Sequence, residues 1–447
     1  MKIVKNKAWL IGLAFLPVAS FAQDTTIKKH EFSIQQAVDY ATKNNVNVKN
    51  ALIDVQIQEQ VNKEVTANAY PQINASGSYT YNAKLPVSLV PAEFFGGQPG
   101  TFQKIAFGLK HNMTGGIELN QLLFDGQVFV GLQARAATIE FSKKNVEVTE
   151  EMIKANIYKI YYQLVVSKKQ IELLDANIAR FDKLLHDTKE IYKAGFAEQL
   201  DVDKVSVALT NLQTEKTKAL NQISNGYLAL KLLMGMPVKD ELVLTDEIKE
   251  SDIKDGMLDA ISFEYGDRKE IQYAEIGIRL NEYNIKRWKL SKIPTVSLNA
   301  YYNENAQRNK FNFTSGTWFG VSAITLRVNV PIFNGFATNA RIQKAKLALQ
   351  QSQNTRENLK LMIDNEVEVA KTNFRSAVAT MDFQRKNMEL AEKVYQQTKK
   401  KYEMGTGSQN EINIAQTDLK AAQTNYINAL YEAIIAKVDF LKATGKL

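Results

Sequence analysis

One seven-residue rhythm occurs twice in this chain, and the two copies lie 210 residues apart. Mostly apolar residues recur at alternating steps of three and four, from Ile157 to Tyr192 and again from Val367 to Tyr402. This spacing is typical of an α-helix that packs along a seam in a left-handed coiled coil. The sequence therefore predicts a tandem duplication of a long coiled-coil unit.

Proline and glycine are absent from two long stretches, between Gly131 and Gly195 and between Gly335 and Gly405. Each stretch can form a helix of more than 60 residues, which at about 1.5 Å per residue would be roughly 90 Å long. Gly195 and Gly405 suit the left-handed residue that ends a helix. Each turn is followed by a second apolar-periodic segment, so two helical hairpins are predicted.

A different pattern precedes each long helix. Residues 73–81, after Pro71, and 296–302, after Pro294, alternate apolar and polar side chains at the period of a β-strand. Return strands at 113–121 and 318–330 complete two predicted hairpins, over 71–121 and 294–331. Amphipathic strands suit either a half-buried sheet in water or a membrane barrel. Because four strands cannot close a barrel, the second setting requires several protomers to pool their strands.

The chain is expected to contain four parts. Residues 1–22 have three lysines before an apolar run and small residues after it, which is typical of a secretory signal peptide cut after Ala22. The alternative, a membrane anchor, needs roughly 18 apolar residues. The first repeat is predicted over 23–240 and the second over 267–447, with a linker of short helices at 241–266.

Composition argues against several functional classes. The net charge of +8 is spread along the helices, which indicates solvated faces and no nucleic-acid partner. His30, His111 and His186 lack metal-ligand spacing, cysteine is absent, and no serine has a nucleophile context. We therefore expect no enzyme, no cofactor and no metal.

Two paired motifs carry a resemblance to a known family. Tyr192-x-x-Gly195 matches Tyr402-x-x-Gly405, and the strand-to-helix segments 124–126 and 333–335 read Phe-Asp-Gly and Phe-Asn-Gly. In duplicate and in this order, over about residues 32–445, they resemble the TolC-type outer-membrane efflux proteins. These proteins are the exit ducts of tripartite efflux pumps and type I secretion systems.

The resemblance implies a mainly α fold with a small β part and a homotrimer in the outer membrane. Four strands from each protomer would form a 12-stranded barrel in the lipid, and the hairpins would form an α-barrel in the periplasm. The implied partners are a periplasmic adaptor protein, an inner-membrane transporter and outer-membrane lipid. Such a duct is passive and is gated at the tips of the helical hairpins.

The resemblance also implies a site. Carried over by position, Tyr402 would face Asp201 across neighbouring helices, and Glu411 would place a ring of three carboxylates in the lumen. This chain departs from the family pattern at Gly407, where an arginine link is common, and at Ile414, where a second acidic ring would lie. The residues implied to contact the adaptor are those of the two turns: Ala194, Gly195, Phe196, Met404, Gly405 and Thr406.

Each of these residues has an alternative role. Asp201 and Glu411 stand at helix starts, where an acid complements the helix dipole. Tyr402 continues the heptad seam, where it would simply pack. At the level of function, the alternatives are a periplasmic adaptor, which carries a single hairpin, and a coiled-coil or adhesin stalk, which leaves the strands unexplained.

Overall fold

The computed structural model describes residues 28–248, 250–254 and 263–447, so the predicted signal peptide lies outside the described residues. The described helices are α1 Ile34–Asn44, α2 Val46–Ala67, α3 Gly126–Lys193, α4 Gln199–Met234, α5 Glu250–Lys254, α6 Lys269–Leu290, α7 Ala337–Glu403 and α8 Gln409–Ala443. The described strands are β1 Lys29–Phe32, β2 Gln72–Tyr81, β3 Val87–Pro91, β4 Phe102–Ala106, β5 His111–Phe124, β6 Glu241–Leu244, β7 Thr295–Arg308 and β8 Phe319–Asn329.

Two helical hairpins dominate the fold. Helices α3 and α7 have 68 and 67 residues, which makes each about 100 Å long. Each packs on the helix that follows it, and the seam residues Ile157, Phe181, Phe374 and Tyr395 are at most 4% exposed. Helix α3 also packs on α8, so the four helices lie side by side in the order α4, α3, α8, α7. The predicted mainly helical fold is confirmed.

The four long strands form one antiparallel sheet in the order β2-β5-β7-β8. Its register places Ile73 beside Leu119, Leu119 beside Ala300, and Ala300 beside Ile324. The face that carries these side chains is mainly apolar near the long helices, and it also carries Tyr302, Glu304 and Arg308 toward the other end of the sheet. Strands β2 and β8 each lack a partner on their outer side within the described residues.

The opposite face of the sheet is polar. The Asn299 amide donates to Glu118 Oε1 at 2.6 Å and to Asn120 Oδ1 at 2.7 Å. Because side chains alternate along a strand, every residue of this set lies on the face away from Ile73 and Ile324. No helix among the described residues has a stretch that is both long and apolar enough to cross a bilayer.

The segment predicted as a linker of short helices begins instead as a strand. Residues Glu241–Leu244 pair in parallel with β1, and the short helix α5 follows. Leu242 and Leu244 alternate inward into the core that also holds Tyr161, whose hydroxyl donates to the Phe32 carbonyl at 2.9 Å. This apolar alternation favours a strand, and the charged residues around it obscured the pattern in the sequence.

A second small hairpin, β3–β4, lies within the predicted hairpin 71–121. It extends from the end of the sheet that is farther from the long helices, between β2 and β5. At the other end, Gly126 joins β5 to α3. A Cβ there would lie 2.8 Å from Leu290 Cβ, so a larger residue would push the start of α3 away from the end of α6.

Candidate functional site

The candidate site is the end of the two hairpins, where two similar turns lie side by side. Gly195 and Gly405 adopt φ angles of +81° and +72°, which favour glycine because a Cβ would clash there. Their N–H groups donate to the carbonyls of Tyr192 and Tyr402. These bonds satisfy the last carbonyls of α3 and α7 and reverse the chain within a few residues.

The turn residues predicted to contact an adaptor are all exposed, namely Ala194, Gly195, Phe196, Met404, Gly405 and Thr406. Phe196 is 86% exposed and Met404 is 70% exposed. Large apolar side chains at the solvent-facing tip of a hairpin contribute nothing to its own core. Their exposure is typical of a surface that binds another molecule.

Asp201 caps its own helix. Its Oδ2 lies 3.5 Å from the Glu198 backbone nitrogen, and its Oδ1 lies 3.7 Å from Lys204 Nζ. These contacts match the alternative role, an acid that complements the start of α4. No hydrogen bond joins Asp201 to Tyr402 within this protomer.

The Tyr402 hydroxyl donates instead to Gln409 Oε1, across the turn between α7 and α8. Burial raises the pKa of Tyr402, the carboxylates of Asp187 and Asp201 raise it further, and the Thr188 hydroxyl opposes the shift. Tyr402 is therefore a neutral hydrogen-bond donor that lies close to α3 and within the field of Asp201. The sequence did not single out Gln409 or Asp187, because both lie beside the apolar seam.

Glu411 is exposed at the start of α8, and its backbone N–H is capped by Ser408 Oγ at 3.2 Å. Its carboxylate has no hydrogen bond or ion pair within the described part of the chain. Asp418 lies one heptad further along the same face, also exposed and without a partner in that part. Ile414 stands between them and is 52% exposed. The same face of α8 thus carries two free carboxylates, and sequence analysis identified only the first.

Gly407 is held against the end of α7. A Cβ there would lie 3.0 Å from the Tyr402 backbone nitrogen and 3.1 Å from Lys401 Cβ. The arginine common in the family pattern would therefore require the turn to move. The geometry explains why this departure from the pattern fits the tight turn of this chain.

Above the turns, a groove of about 440 Å³ runs between α3 and α7, with Gln416 of α8 on its wall. Gln416 is 3% exposed, and its Oε1 has no hydrogen-bond partner among the described residues. Gln409 Nε2 and Asn413 Oδ1, on the same stripe of α8, also lack partners there. Each such buried group costs about 1–3 kcal/mol, which weakens the contact that apolar side chains of both hairpins, among them Leu184 and Ile412, make near the tips.

A complete polar layer closes the groove farther from the tips. The Asn177 amide donates to Gln423 Oε1 at 3.0 Å, and Arg180 donates to Asn177 Oδ1 at 2.6 Å. The Arg180 guanidinium also lies 5.7 Å from the centre of the Tyr395 ring. This layer joins α3, α8 and α7, and it was not predicted because its members are far apart in the sequence.

Comparison with known proteins identifies the family. The sequence profile of the outer membrane efflux protein family matches residues 37–236 and 265–446. The chain belongs to this family. The two matched segments cover both hairpins and all four long strands, and they leave out the region of β6 and α5.

Individual family members are distant in sequence and close in fold. The outer membrane protein TolC of Vibrio cholerae is 20% identical over 338 residues, which cover 75% of this chain and 77% of TolC. A crystal structure of CusC superposes with a TM-score of 0.76 at 17% identity and covers 95% of both chains. The outer membrane channel CmeC of Campylobacter jejuni gives a TM-score of 0.72 at 18% identity, over 92% of this chain and 85% of CmeC.

Family membership confirms the predicted function class, which is an outer-membrane efflux channel. It favours this class over the two alternatives, a periplasmic adaptor and a coiled-coil stalk. It also confirms the outer membrane as the location of the protein. Members of this family are channels rather than enzymes. Within the described residues, no group of three or more histidine, aspartate or glutamate side chains could hold a metal ion.

Proposed function

We propose that three copies of this chain form a passive exit duct that is gated at the turns around Gly195 and Gly405. The observation that supports it best is the open four-stranded sheet, which has one mainly apolar face, one polar face and two edges that pair with no other strand among the described residues. Unpaired backbone groups are very costly in lipid, so each β2 must pair with the β8 of a neighbour. Three protomers then give twelve strands, with apolar side chains toward lipid and polar side chains toward the lumen.

The helices support the same assembly. Helix α7 carries a broad stripe of exposed apolar side chains outside its buried seam, and α4 carries another. The stripe on α7 contains Leu347, Leu361, Val369, Phe383, Leu390 and Val394, and the stripe on α4 contains Leu200, Val207, Leu228 and Leu232. Because α4 and α7 are the outer helices of each protomer, α4 of one copy would pack on α7 of the next.

Disulfide trapping tests this assembly. The chain has no cysteine, so an introduced pair supplies the only thiols. Val207 and Val394 lie about the same number of residues from their turns and therefore at about the same height. Val207→Cys combined with Val394→Cys should yield covalent trimers on oxidation, while each single variant should not. A monomer that fractionates with soluble periplasmic protein would contradict the proposal.

We place the gate at the tips, where buried amides of α8 have no hydrogen-bond partners among the described residues. The Tyr402–Gln409 hydrogen bond ties α7 to α8, and Asp201 holds the start of α4. In a trimer, Glu411 would form a ring of three carboxylates, and Asp418 would form a second one above Ile414. Such rings concentrate cations and make the closed state sensitive to divalent metals and to ionic strength.

Single-channel recording in planar bilayers tests the gate. Glu411→Gln removes three charges from the proposed ring and should lower cation selectivity and weaken the block by divalent cations. Glu190→Gln is a matched control, since Glu190 is equally near a turn but is paired with Lys193 at 2.8 Å. If Glu411→Gln conducts like the unsubstituted protein, Glu411 does not face the lumen.

The exposed turns would bind the adaptor, which connects the duct to an inner-membrane transporter. Phe196 and Met404 offer apolar anchors at the two tips, and the adaptor would cover them and release the gate. Phe196→Ser with Met404→Ser should leave the trimer in the outer membrane but abolish its copurification with the adaptor. Retained copurification would place the docking surface elsewhere.

A further inference from the structure

The β3–β4 hairpin stands apart from the rest of the protomer. It spans residues 82–110, and its two strands pair with each other, from Val87 opposite Ala106 to Pro91 opposite Phe102. The turn is closed by the Glu93 carboxylate, which accepts from the Gly100 N–H at 3.0 Å. An isolated two-stranded hairpin is only marginally stable in water, so a further surface is expected to support it.

One face and the tip of this hairpin are apolar and exposed. Leu89 is 63% exposed, Phe94 78%, Phe95 60% and Phe102 65%. Side chains of this size in one contiguous patch are typical of a site that binds a protein or a membrane. In the part of the chain that the structure describes, β3 and β4 pack mainly on each other.

The hairpin is also basic. Lys84, Lys104 and Lys110 are exposed and form no ion pair within the described residues, and Glu93 is the one acid of the segment. Three positive charges and one negative charge give the hairpin a formal charge of +2. Apolar side chains beside free lysines are the combination that binds an anionic lipid surface.

Its position in the fold matches that surface. The hairpin leaves the sheet at Tyr81 and returns at His111, beside a cluster of aromatic side chains. Tyr79 bonds His111 through Nδ1 at 2.8 Å, and Phe311 and Phe313 pack edge-on against the Tyr79 ring. Tyr79 and His111 lie on the apolar face of the sheet, where aromatic residues mark the boundary between lipid and water.

We propose that the β3–β4 hairpin lies on the outer surface of the membrane and binds anionic, phosphate-bearing lipid, with its phenylalanines among the acyl chains and its lysines at the phosphates. This inference rests on the proposed function, in which the apolar face of the sheet contacts lipid. The charge disfavours the other occupant, a plug of three hairpins from three protomers, because three groups of charge +2 would repel one another at the axis.

Tryptophan fluorescence in lipid nanodiscs tests the proposal. Phe94→Trp places a probe at the hairpin tip, and the signal of Trp288 and Trp318 is subtracted with the unsubstituted protein. The lipid is phosphatidylglycerol or phosphatidylcholine with acyl chains brominated near the headgroup. We expect the bromine to quench the fluorescence of the Phe94→Trp variant. The quenching should be at least about twofold stronger in phosphatidylglycerol than in phosphatidylcholine.

Two control positions separate this inference from the proposed function. Ile324→Trp lies on the apolar face of β8 and should be quenched in both lipids, whereas Phe196→Trp lies at the far tips and should not. If position 324 is quenched and position 94 is not, the hairpin proposal is wrong and the barrel stands. If neither is quenched, both are overturned.

The charge and the alternative occupant have tests of their own. Lys84→Gln with Lys104→Gln, in the Phe94→Trp background, should remove the preference for phosphatidylglycerol, while Lys169→Gln with Lys193→Gln on α3 should not. An unchanged preference would overturn the role of the lysines. Disulfide-linked protomers from Phe94→Cys would show the hairpins meeting at the axis and would overturn the lipid proposal.

Discussion

Two glutamates one turn apart on α3 show how neighbouring charged side chains determine whether a carboxylate adds to folding stability or reduces it. Burial raises the pKa of Glu151, the charge of Glu270 raises it further, and its Oε2 has no hydrogen-bond partner among the described residues. Burial also acts on Glu147, but Lys144 at 2.6 Å and Lys269 at 3.4 Å outweigh it and lower the pKa of Glu147. The first carboxylate costs stability when it is ionised, and the second adds stability.

Opposite effects are therefore expected from the same substitution. A raised pKa means that the stability due to protonated Glu151 is lost as pH rises from about 4 through the folded pKa. Glu151→Gln should raise the unfolding free energy at neutral pH by about 1 kcal/mol. A lowered pKa means that the contribution of Glu147 is present at neutral pH and is lost on acidification, so Glu147→Gln should destabilise by about 0.5 kcal/mol.

Thermal unfolding followed by circular dichroism at neutral pH and at about pH 4 measures both effects. The Glu151→Gln difference should shrink at the lower pH, where the carboxyl group of Glu151 is largely protonated. The Glu147→Gln difference should largely persist there, because the pKa of Glu147 is lowered, and it should disappear only on further acidification. A Glu151→Gln shift that is equal at the two pH values would show that packing, and not charge, is responsible.

At the scale of the element, the sheet is defined by its two faces. Ile324 and Thr325 are neighbours on β8, yet Ile324 shares a face with Ala300 and Thr325 pairs with Asn299 on the other. A charge on the lipid face of a barrel costs about 2–4 kcal/mol at mid-membrane, whereas a charge on the lumen face remains hydrated.

Lysine substitutions at these two neighbouring positions test the difference between the two faces of β8. Ile324→Lys should sharply reduce the amount of trimer in the outer-membrane fraction, and Thr325→Lys should leave it nearly unchanged. Quantitative immunoblotting of fractionated cells gives the comparison. Loss of trimer in both variants, or in neither, would mean that β8 does not present these faces to lipid and water.

The contact between α3 and α8, which joins the two hairpins, contains more buried polar side chains than the seams within each hairpin. Within a hairpin, the seam between the two helices is mainly apolar. Near the tips, one apolar core joins both hairpins, and amides of α8 are buried beside it. The Asn177–Gln423 pair is satisfied, whereas Gln409 Nε2, Asn413 Oδ1 and Gln416 Oε1 have no partner among the described residues. We infer that the hairpins separate more readily from each other than they unzip internally.

A double-mutant cycle measures that layer. Gln423→Ala removes the acceptor of one N–H of the buried Asn177 amide, which then donates only to the Leu173 carbonyl. This loss should cost about 1 kcal/mol, and Asn177→Ala should cost little more when added to it. Gln396→Ala is the control, because Gln396 is exposed and bonds only Glu392 of its own helix. Additive losses would mean that Asn177 and Gln423 do not act as a pair.

At the scale of the whole molecule, assembly depends on surfaces that a single protomer leaves without a partner. Within the described part of the chain, neither edge of the sheet has a strand partner, and the outer helices α4 and α7 carry exposed apolar side chains outside their buried seams. A head-to-tail contact of this type closes into a ring when the rotation between copies is suitable.

Phe383→Asp therefore tests the assembly. Phe383 is 69% exposed on the α7 stripe, so the charge should dissociate the trimer in mild detergent while leaving the helix content unchanged. Lys189→Asp, at an exposed position on the inner helix α3, is the matched control and should remain trimeric. Light scattering with size-exclusion chromatography gives the mass, and a trimeric Phe383→Asp would exclude this stripe from the interface.

Much of this architecture followed from local patterns. The heptad spacing and the absence of proline and glycine predicted α3 and α7, because a long helix needs only an unbroken backbone and one apolar stripe. The positive φ angles of Gly195 and Gly405 followed from helix ends that glycine satisfies best. The alternation after Pro71 and Pro294 predicted β2 and β7. These features depend on neighbours within a few residues, which a sequence displays directly.

Other features were decided only by the tertiary structure. The pairing of β6 with β1, the Asn177–Gln423–Arg180 layer and the contact of Tyr402 with Gln409 join side chains according to which helix lies beside which. The lone hairpin β3–β4 was visible only once its apolar face was found uncovered. A sequence determines which faces of a helix or strand are apolar, but their partners depend on packing between segments up to 246 residues apart, which no local periodicity encodes.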